Sequence, residues 1–327
     1  MIDGFLVQLC QEKSTTGEML DFILETCFTF IKFIILIIIG SVKALLPIGI
    51  LPRKSVAGEV VLITGAGSGI GRLMAIEFAK LGAKVVIWDI DEKGMQESIE
   101  MASKYGTKVR GYKVDLSRRE EIYETAEKVK KEVGDVDILI NNAGIVTGKK
   151  LCDCPDNLIK LTMDVNVMSH FFTIKAFLPH MLENNHGHII SVASIAGIFG
   201  TADLVDYCAS KHAAVGLCSS LQSELTVMKK NDIHITVICP YYINTGMFNG
   251  CESKFSSLFP ILEPEYVVTK IMDAVLTNQE RLYIPKLTYV AAALQSFVPP
   301  AATHVLEDYL GTMYGMEHFT GRKCSAK

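Results

Sequence analysis

Two kinds of hydrophobic pattern divide the chain. Residues 26–51 form a nearly continuous apolar run in which the only charged side chains are Lys32 and Lys43. From residue 58 to about residue 290, short β-branched runs alternate instead with amphipathic stretches. Strands that alternate with crossover helices are typical of βαβ units and of a parallel sheet covered on both faces. The pattern therefore predicts one α/β domain over residues 56–290, built on a doubly wound parallel sheet and preceded by a hydrophobic segment.

The individual runs predict the order of the elements. The first strand is Val60–Thr64, the first helix Ile70–Leu81 and the second strand Lys84–Asp89. Four further strands are predicted in KVRGYKVDL (108–116), DILINNAG (137–144), HIISVAS (188–194) and HITVICP (234–240). Four of the remaining helices are predicted in REEIYETAEKVKKEV (119–133), in LTMDVNVMSHFFTIKAFLPHMLE (161–183), from about Asp206 onward, and in PEYVVTKIMDAVL (264–276).

The apolar run at 26–51 is predicted to be a membrane anchor within an N-terminal region of residues 1–52. A spanning helix needs about 20 mostly apolar residues, and the run reaches that length if Lys32 snorkels to the interface. A monotopic insertion also fits the pattern. Acidic residues precede the run while Arg53 and Lys54 follow it, so the positive-inside rule places the downstream domain in the cytosol.

Charge and cysteine usage narrow the classes of protein that fit. The net charge is −4, and no dense cluster of lysine and arginine is present, which argues against a nucleic-acid partner. Nine cysteines, an odd number in mostly apolar contexts, indicate free thiols in a reducing compartment. Cys152 and Cys154 form a C-x-C that no second pair completes, so we expect no metal site.

The sequence TGAGSGIG at residues 64–71 lies where the first strand ends and the first helix begins. Gly65, Gly69 and Gly71 let the backbone approach a pyrophosphate, and the helix N-terminus favours negative charge. Asp89 ends the second strand, where a carboxylate binds ribose hydroxyls and repels a 2′-phosphate. Ser68 supplies no basic side chain for such a phosphate, and Arg72 can equally serve solubility or packing. The motif predicts a Rossmann-type site for NAD rather than NADP.

Two Tyr-x-x-x-Lys pairs compete for the catalytic role, Tyr207 with Lys211 and Tyr266 with Lys270. Both spacings place tyrosine and lysine on one helical face, and each tyrosine has a serine thirteen residues upstream. The context of the two serines separates the pairs.

Ser194 ends a predicted strand, at the edge of the sheet where ligands bind. Ser253 lies in a stretch without strand periodicity, and Pro260 and Pro264 separate it from Tyr266. We therefore predict that the first pair is catalytic, and that Tyr266 lies on the apolar side of its helix.

Several of these motifs resemble those of the short-chain dehydrogenase/reductase family in their order and spacing. The resemblance rests on TGAGSGIG, NNAG at 141–144, Asn166, Ser194 and YCASK at 207–211, and it covers about residues 56–290. Three longer runs are similar to the membrane-bound lipid-alcohol branch of that family: RKSVAGEVVLITGAGSGIGR (53–72), KKEVGDVDILINNAGIVTGKK (130–150) and CPYYINTGMF (239–248).

The resemblance implies a catalytic set of Ser194, Tyr207, Lys211 and Asn166. Tyr207 would be the base that takes the hydroxyl proton, and Lys211 would favour its phenolate and hold the nicotinamide ribose. Ser194 would position the substrate oxygen, and Asn166 would support a water chain that carries the proton away.

The resemblance also implies which residues bind NAD. They are Gly65, Ser68, Gly69, Ile70, Gly71, Asp89, Asp115, Leu116, Asn142, Ala143, Gly144, Tyr207, Lys211, Pro240, Ile243 and Thr245. Asp115 matches a residue that contacts adenine, and Thr245 matches a threonine near the carboxamide. One position departs from the family pattern, because Tyr241 replaces the glycine that usually follows Pro240.

The stretch 246–262 lies where this family places a substrate lid, and its apolar side chains suit an apolar substrate. They are Met247, Phe248, Phe255, Leu258 and Phe259. Residues 287–300 are again apolar, so we expect a C-terminal tail (291–327) that associates with a membrane.

The resemblance implies NAD-dependent oxidation of a lipid alcohol, with all-trans-retinol to retinal as the leading reaction. A steroid dehydrogenase of the 17-beta-hydroxysteroid type and a non-catalytic NAD-binding scaffold remain as alternatives. It implies a location on the endoplasmic reticulum membrane or on lipid droplets, facing the cytosol. It also implies a homo-oligomer, for which the residues themselves indicate no interface.

Overall fold

Seven parallel strands form one sheet in the order β3-β2-β1-β4-β5-β6-β7. The strands are β1 (Val60–Thr64), β2 (Lys84–Asp89), β3 (Val109–Lys113), β4 (Ile138–Asn141), β5 (Gly187–Val192), β6 (Ile233–Pro240) and β7 (Arg281–Ile284). β1 pairs with β2 on one side and with β4 on the other, so the direction of winding reverses between β1 and β4. Such a reversal leaves a crevice at the carboxyl ends of the strands. The predicted doubly wound α/β fold is confirmed.

The described residues form ten α-helices. They are α1 (Ile2–Leu45), α2 (Gly69–Lys80), α3 (Glu92–Ser103), α4 (Arg119–Glu132), α5 (Asp156–Met163), α6 (Ser169–Asn184), α7 (Val205–Val227), α8 (Pro264–Leu276), α9 (Leu287–Gln295) and α10 (Pro300–Leu310). α2, α3 and α8 pack into the apolar core on one face, and α4, α6 and α7 into the core on the other.

β1 shows why a central strand of this sheet is apolar at almost every position. Val61 and Ile63 belong to the first core, whereas Val60 and Leu62 belong to the second. Side chains of a strand alternate between the two faces, and here both faces are covered by helices. A continuous β-branched run is therefore what a central strand of this sheet requires.

The structure is a computed structural model that describes residues 2–46, 49–295 and 297–321. The predicted anchor (26–51) includes residues 47 and 48, and the predicted tail (291–327) includes residues 296 and 322–327, all of which lie outside the described residues. The chain forms two compact units, residues 1–52 and residues 53–327. In the first unit, α1 contains a stretch, Glu18–Gly40, that is long and apolar enough to cross a membrane.

Some elements differ from those expected from the sequence. The first helix runs from Gly69 to Lys80 rather than from Ile70 to Leu81. The stretch 161–183 is interrupted by a π-helical turn, Asp164–Met168, between α5 and α6. β7 was not predicted, because it has only four residues and begins with an exposed arginine.

Candidate active site

The turn between β1 and α2 requires its glycines on steric grounds. Gly65 has a φ of +65°, and a Cβ on it would lie 2.8 Å from the Cα atom of Ala143. A Cβ on Gly67 would lie 2.8 Å from the Asp89 carboxylate, so the chain has no room for a side chain there either. The turn leads into the N-terminus of α2, where Ser68 is the capping residue. Backbone N–H groups at such a helix start are free to bind phosphate.

The NNAG segment after β4 is bound to this turn. The backbone N–H groups of Asn142 and Ala143 donate to the Thr64 hydroxyl at 3.0 and 3.1 Å. The Asn142 side-chain amide donates back to the carbonyl oxygen of Thr64 at 2.8 Å. These bonds hold together the two loops on either side of the point where the sheet reverses its winding.

Asp89 ends β2 beside the glycine-rich turn. Its carboxylate accepts hydrogen bonds from the backbone N–H of Gly67 at 2.7 Å and of Asp91 at 2.9 Å. Both bonds orient the carboxylate at the carboxyl edge of the sheet. The acidic side chain is therefore held against the turn that would cradle the pyrophosphate.

Arg72 follows the turn, and its guanidinium is already engaged. It donates to the Ser98 hydroxyl at 2.9 Å and to the carbonyl oxygen of Gly94 at 3.1 Å. It also pairs with the Glu97 carboxylate at 3.0 Å. Arg72 thus fastens the turn to α3, which favours the packing role left open by the sequence.

The other residues predicted to bind the dinucleotide also lie at the carboxyl ends of strands. Asp115 follows β3 and accepts from the backbone and the hydroxyl of Ser117 at 2.9 and 2.7 Å. Thr245 follows β6 and lies 3.5 Å from the position of a Cβ on Gly69. The fold therefore brings the predicted residues after β1, β2, β3, β4 and β6 to one edge of the sheet.

Asn166 lies in the π-helical turn between α5 and α6 and is fully buried. Its side-chain oxygen accepts from the backbone N–H of Ile145 at 2.9 Å, and its amide donates to the carbonyl of Ile145 at 3.0 Å. The amide also donates to the Ser210 hydroxyl at 3.0 Å. A π-helical turn that re-aims one buried polar side chain is common at functional sites.

Ser194 and Tyr207 meet at the end of β5. The Ser194 hydroxyl donates to the carbonyl of Pro240 at 3.4 Å and accepts from the N–H of Ala196 at 3.1 Å. Tyr207 lies in the first turn of α7 and is 4% exposed. Burial raises the pKa of its phenol above the ordinary value, whereas a hydrogen bond with Ser194 lowers that pKa.

Lys211 lies one turn further along α7 and is also buried. Its ammonium group donates to the carbonyl of Val192 at 2.9 Å and lies 5.5 Å from the centre of the Tyr207 ring. Burial lowers the pKa of Lys211 to about 8. The ammonium group and the side-chain oxygen of Asn166 both lie 3.4 Å from the position of a Cβ on Gly144. All four predicted catalytic residues are thus gathered around the ends of β4 and β5.

The second Tyr-x-x-x-Lys pair lies on α8, in a different environment. Tyr266 is 44% exposed, so the expectation that it lies on the apolar side of its helix is wrong. Val267, Val268 and Ile271 occupy that side and are buried. Ser253 donates to the carbonyl of Phe259 within the lid. The second pair is therefore not part of the cluster that contains Ser194.

Apolar side chains from distant segments surround the Tyr207 ring. Phe248 of the lid packs edge-on against Tyr207 at 5.7 Å, and Tyr242 packs against Phe248 at 5.1 Å. Met316 and Phe319, near the C-terminus, belong to the same cluster. No sequence motif marks these last two residues, so their place in the cluster of Tyr207 was not predictable from the sequence.

An apolar cavity of about 170 Å³ lies beside this cluster. Ile195, which directly follows Ser194, lines one side, together with Tyr241 and Tyr242 from the segment after β6. Leu294 of α9 and Leu306 of α10 line another side. Tyr242 contributes both to the cavity and to the cluster around Tyr207, so the two are adjacent.

A glycine-rich turn at the reversal point of a doubly wound sheet, beside a buried tyrosine–lysine pair, is typical of a dinucleotide-dependent oxidoreductase. The sequence profile of the family described as short chain dehydrogenase matches residues 59–254, and the chain belongs to this family. Epidermal retinol dehydrogenase 2 of Homo sapiens is 51% identical to the chain over 285 residues, which cover 87% of this chain and 91% of that relative.

Solved structures show the same fold. A short chain dehydrogenase/reductase from Burkholderia phymatum in complex with NAD matches with a TM-score of 0.67 at 28% identity, covering 74% of this chain and 94% of that one. A metagenomic short-chain oxidoreductase in complex with NADP matches with a TM-score of 0.59 at 26% identity, covering 71% and 97%. The chain is an NAD(P)-dependent oxidoreductase that acts on CH–OH groups.

Proposed function

We propose that the protein oxidises the hydroxyl group of an apolar lipid alcohol, with all-trans-retinol as the leading substrate and NAD as the hydride acceptor. The observation that supports this most is the meeting of Ser194, Tyr207 and Lys211 at the sheet edge, directly beneath an apolar cluster and beside an apolar cavity. The relative that is 51% identical carries the name of a retinol dehydrogenase.

The residues at the sheet edge fit a dinucleotide. Side chains on Gly65 and Gly67 would collide with Ala143 and Asp89, so the turn keeps an open backbone surface for a pyrophosphate. The turn, Asp89, Asp115 and the NNAG segment would hold the adenosine half, and Lys211 and Thr245 the nicotinamide half. When bound, the nicotinamide accepts the hydride from the alcohol carbon.

The protein side chains bind the alcohol oxygen and accept the hydroxyl proton. Ser194 donates a hydrogen bond to the alcohol oxygen, and the Tyr207 phenolate takes the hydroxyl proton as the carbonyl forms. Burial alone disfavours the phenolate, so this step depends on a neighbouring positive charge. Lys211 supplies that charge below about pH 8. Asn166 acts behind Lys211 as a positioning residue that holds the backbone of Ile145 and the Ser210 hydroxyl in place.

Two features support NAD rather than NADP. The Asp89 carboxylate is fixed against the glycine-rich turn, where it would accept from ribose hydroxyls and repel a 2′-phosphate. The guanidinium of Arg72, the nearest basic group in the sequence, is paired with Glu97 and bound to Gly94 and Ser98. A 2′-phosphate would have to displace these partners to gain its charge.

We also propose that the protein is attached to a membrane with its catalytic unit in the cytosol, on the endoplasmic reticulum or on lipid droplets. The stretch Glu18–Gly40 of α1 has the length and apolar composition of a spanning segment. In the catalytic unit, α9 and α10 expose large apolar side chains, among them Leu294 and Leu306, that also line the cavity. An apolar alcohol dissolved in lipid would reach such a site without crossing water.

A substrate and cofactor panel on membranes that contain the full chain tests the proposal. We expect all-trans-retinol with NAD to give the highest kcat/KM, ahead of a 17-beta-hydroxysteroid and ahead of retinol with NADP. A higher kcat/KM with the steroid would contradict retinol as the leading substrate. A higher kcat/KM with NADP would contradict NAD as the cofactor. Absence of turnover with every alcohol would contradict the proposed reaction.

A further inference from the structure

The chain after α10 turns back across the lid. This C-terminal segment, Gly311–Gly321, is held by backbone hydrogen bonds on both sides of Cys251. The N–H of Glu252 donates to the carbonyl of Gly315 at 3.1 Å, and the N–H of Thr320 donates to the carbonyl of Asn249 at 2.8 Å. The Sγ atom of Cys251 lies 3.2 Å from the Sδ atom of Met316 between them. The segment is therefore bound to the lid by backbone hydrogen bonds and by a buried sulfur contact.

Glycines in the facing loops make room for this segment. Gly250 has a φ of +86°, and a Cβ on it would collide with the carbonyl of His318. Gly148, in the loop after β4, has a φ of +63°, and a Cβ on it would collide with the ring of Phe319. Positive φ and lack of space both demand glycine at these two positions. Two separate loops thus each have a glycine where the C-terminal segment comes into close contact with them.

The segment contributes Met316 and Phe319 to the apolar cluster that contains Tyr207. Met316 is 3% exposed and shares a buried cluster with Leu204 and Tyr207. Phe319 packs against the same cluster, beside Val146 from the loop after β4. The Met316 thioether and the Phe319 ring provide an apolar, adaptable surface. Neither side chain has a strong hydrogen-bonding group that would compete with Ser194 for the alcohol oxygen.

We propose that the C-terminal segment forms the outer wall of the substrate site, and that Met316 and Phe319 contact the hydrocarbon part of the alcohol. This inference rests on the proposed oxidation of an apolar alcohol. An alcohol whose oxygen lies between Ser194 and Tyr207 has its hydrocarbon part beside the apolar cluster around Tyr207, to which Met316 and Phe319 belong. A long chain reaches the wall formed by Met316 and Phe319, whereas a short alcohol occupies only the space next to Ser194.

The test compares a long and a short apolar alcohol in Met316→Ala, Phe319→Ala and the double variant of the full chain in membranes. The probes are all-trans-retinol and cinnamyl alcohol. We expect the ratio of kcat/KM for retinol to that for cinnamyl alcohol to fall by about tenfold or more, mainly through KM, because lost apolar contacts weaken binding before and during the reaction alike. Met316→Leu should restore most of the ratio, since leucine refills the volume.

Matched controls separate this role from general damage. Met228→Ala, directly after α7, and Phe171→Ala, on α6, remove the same side-chain types from exposed positions and should leave the ratio unchanged. Enhancement of NADH fluorescence reports whether each variant is folded and binds cofactor. If Met316→Ala and Phe319→Ala bind NADH and keep the wild-type ratio, the wall does not contact substrate and the inference is overturned.

A binding measurement keeps the inference testable if the proposed reaction fails. Retinol fluorescence gives the Kd of each protein in the presence of NADH, with no turnover needed. Weaker retinol binding in Met316→Ala and Phe319→Ala than in the two controls supports the wall even in a protein that oxidises no alcohol. Equal binding in all of them overturns it.

Discussion

The ammonium nitrogen of Lys211 lies 5.5 Å from the centre of the Tyr207 ring, and the corresponding distance from Lys270 to Tyr266 is 5.4 Å. The two pairs are therefore equivalent in local geometry, as their identical spacing on a helix requires. They differ in what surrounds them, because Tyr207 is 4% exposed and Tyr266 is 44% exposed. Water screens the charge of Lys270 at the exposed pair, whereas protein encloses the charge of Lys211 beside Tyr207.

Replacing each tyrosine by phenylalanine separates the two pairs. Tyr207→Phe removes the group that we propose takes the hydroxyl proton, and we expect kcat for alcohol oxidation to fall by about 10²–10⁴-fold. NADH binding should persist in this variant, because the ring remains. Tyr266→Phe is the matched control and should retain wild-type activity. Full activity of Tyr207→Phe would remove Tyr207 as the base.

The pH dependence of oxidation reports the charge on Lys211. In the proposed mechanism oxidation uses the Tyr207 phenolate, so kcat/KM for oxidation should rise with pH across the acidic limb, while that for reduction of the aldehyde should fall. Burial raises the pKa of Tyr207 and lowers that of Lys211 to about 8, so the cation assists the phenolate mainly below that pH. Lys211→Met should move the rising limb to higher pH, whereas Lys270→Met should not. An unchanged limb in Lys211→Met would refute the electrostatic role.

We expect the preference between NAD and NADP to depend on the charge of Asp89. Asp89→Asn keeps a side-chain oxygen for the N–H of Gly67 but removes the negative charge that repels a 2′-phosphate. We expect the ratio of kcat/KM with NAD to that with NADP to fall by about tenfold or more. Asp153→Asn, at an exposed position, controls for loss of one surface charge. Preference for NADP in the wild-type protein would show that the carboxylate does not select the dinucleotide.

Asn166 ties three backbone and side-chain groups together in the π-helical turn. Asn166→Ala leaves the N–H and the carbonyl of Ile145 without their partner, and one unpaired buried group costs about 1–3 kcal/mol. Thermal or urea unfolding should show a lower free energy of unfolding, together with a lower kcat. Asn157→Ala, on the exposed side of α5, should change neither quantity. Normal stability in Asn166→Ala would mean that these bonds are replaced by others.

Charge placed in α1 tests the proposed anchor. A lysine at the centre of a spanning helix costs about 2.5–3.5 kcal/mol, so Phe30→Lys, next to the midpoint of Glu18–Gly40, should reduce the fraction that resists carbonate extraction. Leu20→Lys lies near the end of the stretch Glu18–Gly40, where lysine reaches the interface, and should have little effect. Equal extraction of both variants and the wild-type protein would argue against a spanning segment.

The strands and the dinucleotide turn were predictable because their signals are local. β1 is a continuous apolar run, since both faces of the sheet are covered, and Gly65, Gly67 and Gly71 of the turn occupy positions with no space for a side chain. β7 escaped prediction because four residues at the sheet edge carry too little pattern. The side to which Tyr266 points was predicted wrongly, because the neighbouring Val267, Val268 and Ile271 occupy the buried face of α8 in its place.

The sequence by itself determined the class of fold, the place of the glycine-rich turn and the identity of two candidate tyrosine–lysine pairs, because each follows from spacing along a single strand, turn or helix. Only the tertiary structure decided which pair is buried, that Arg72 is bound by α3, and that Met316 and Phe319 share an apolar cluster with Tyr207. Burial is set by contacts between segments far apart in the chain, and no local pattern records which distant segment will cover a given side chain.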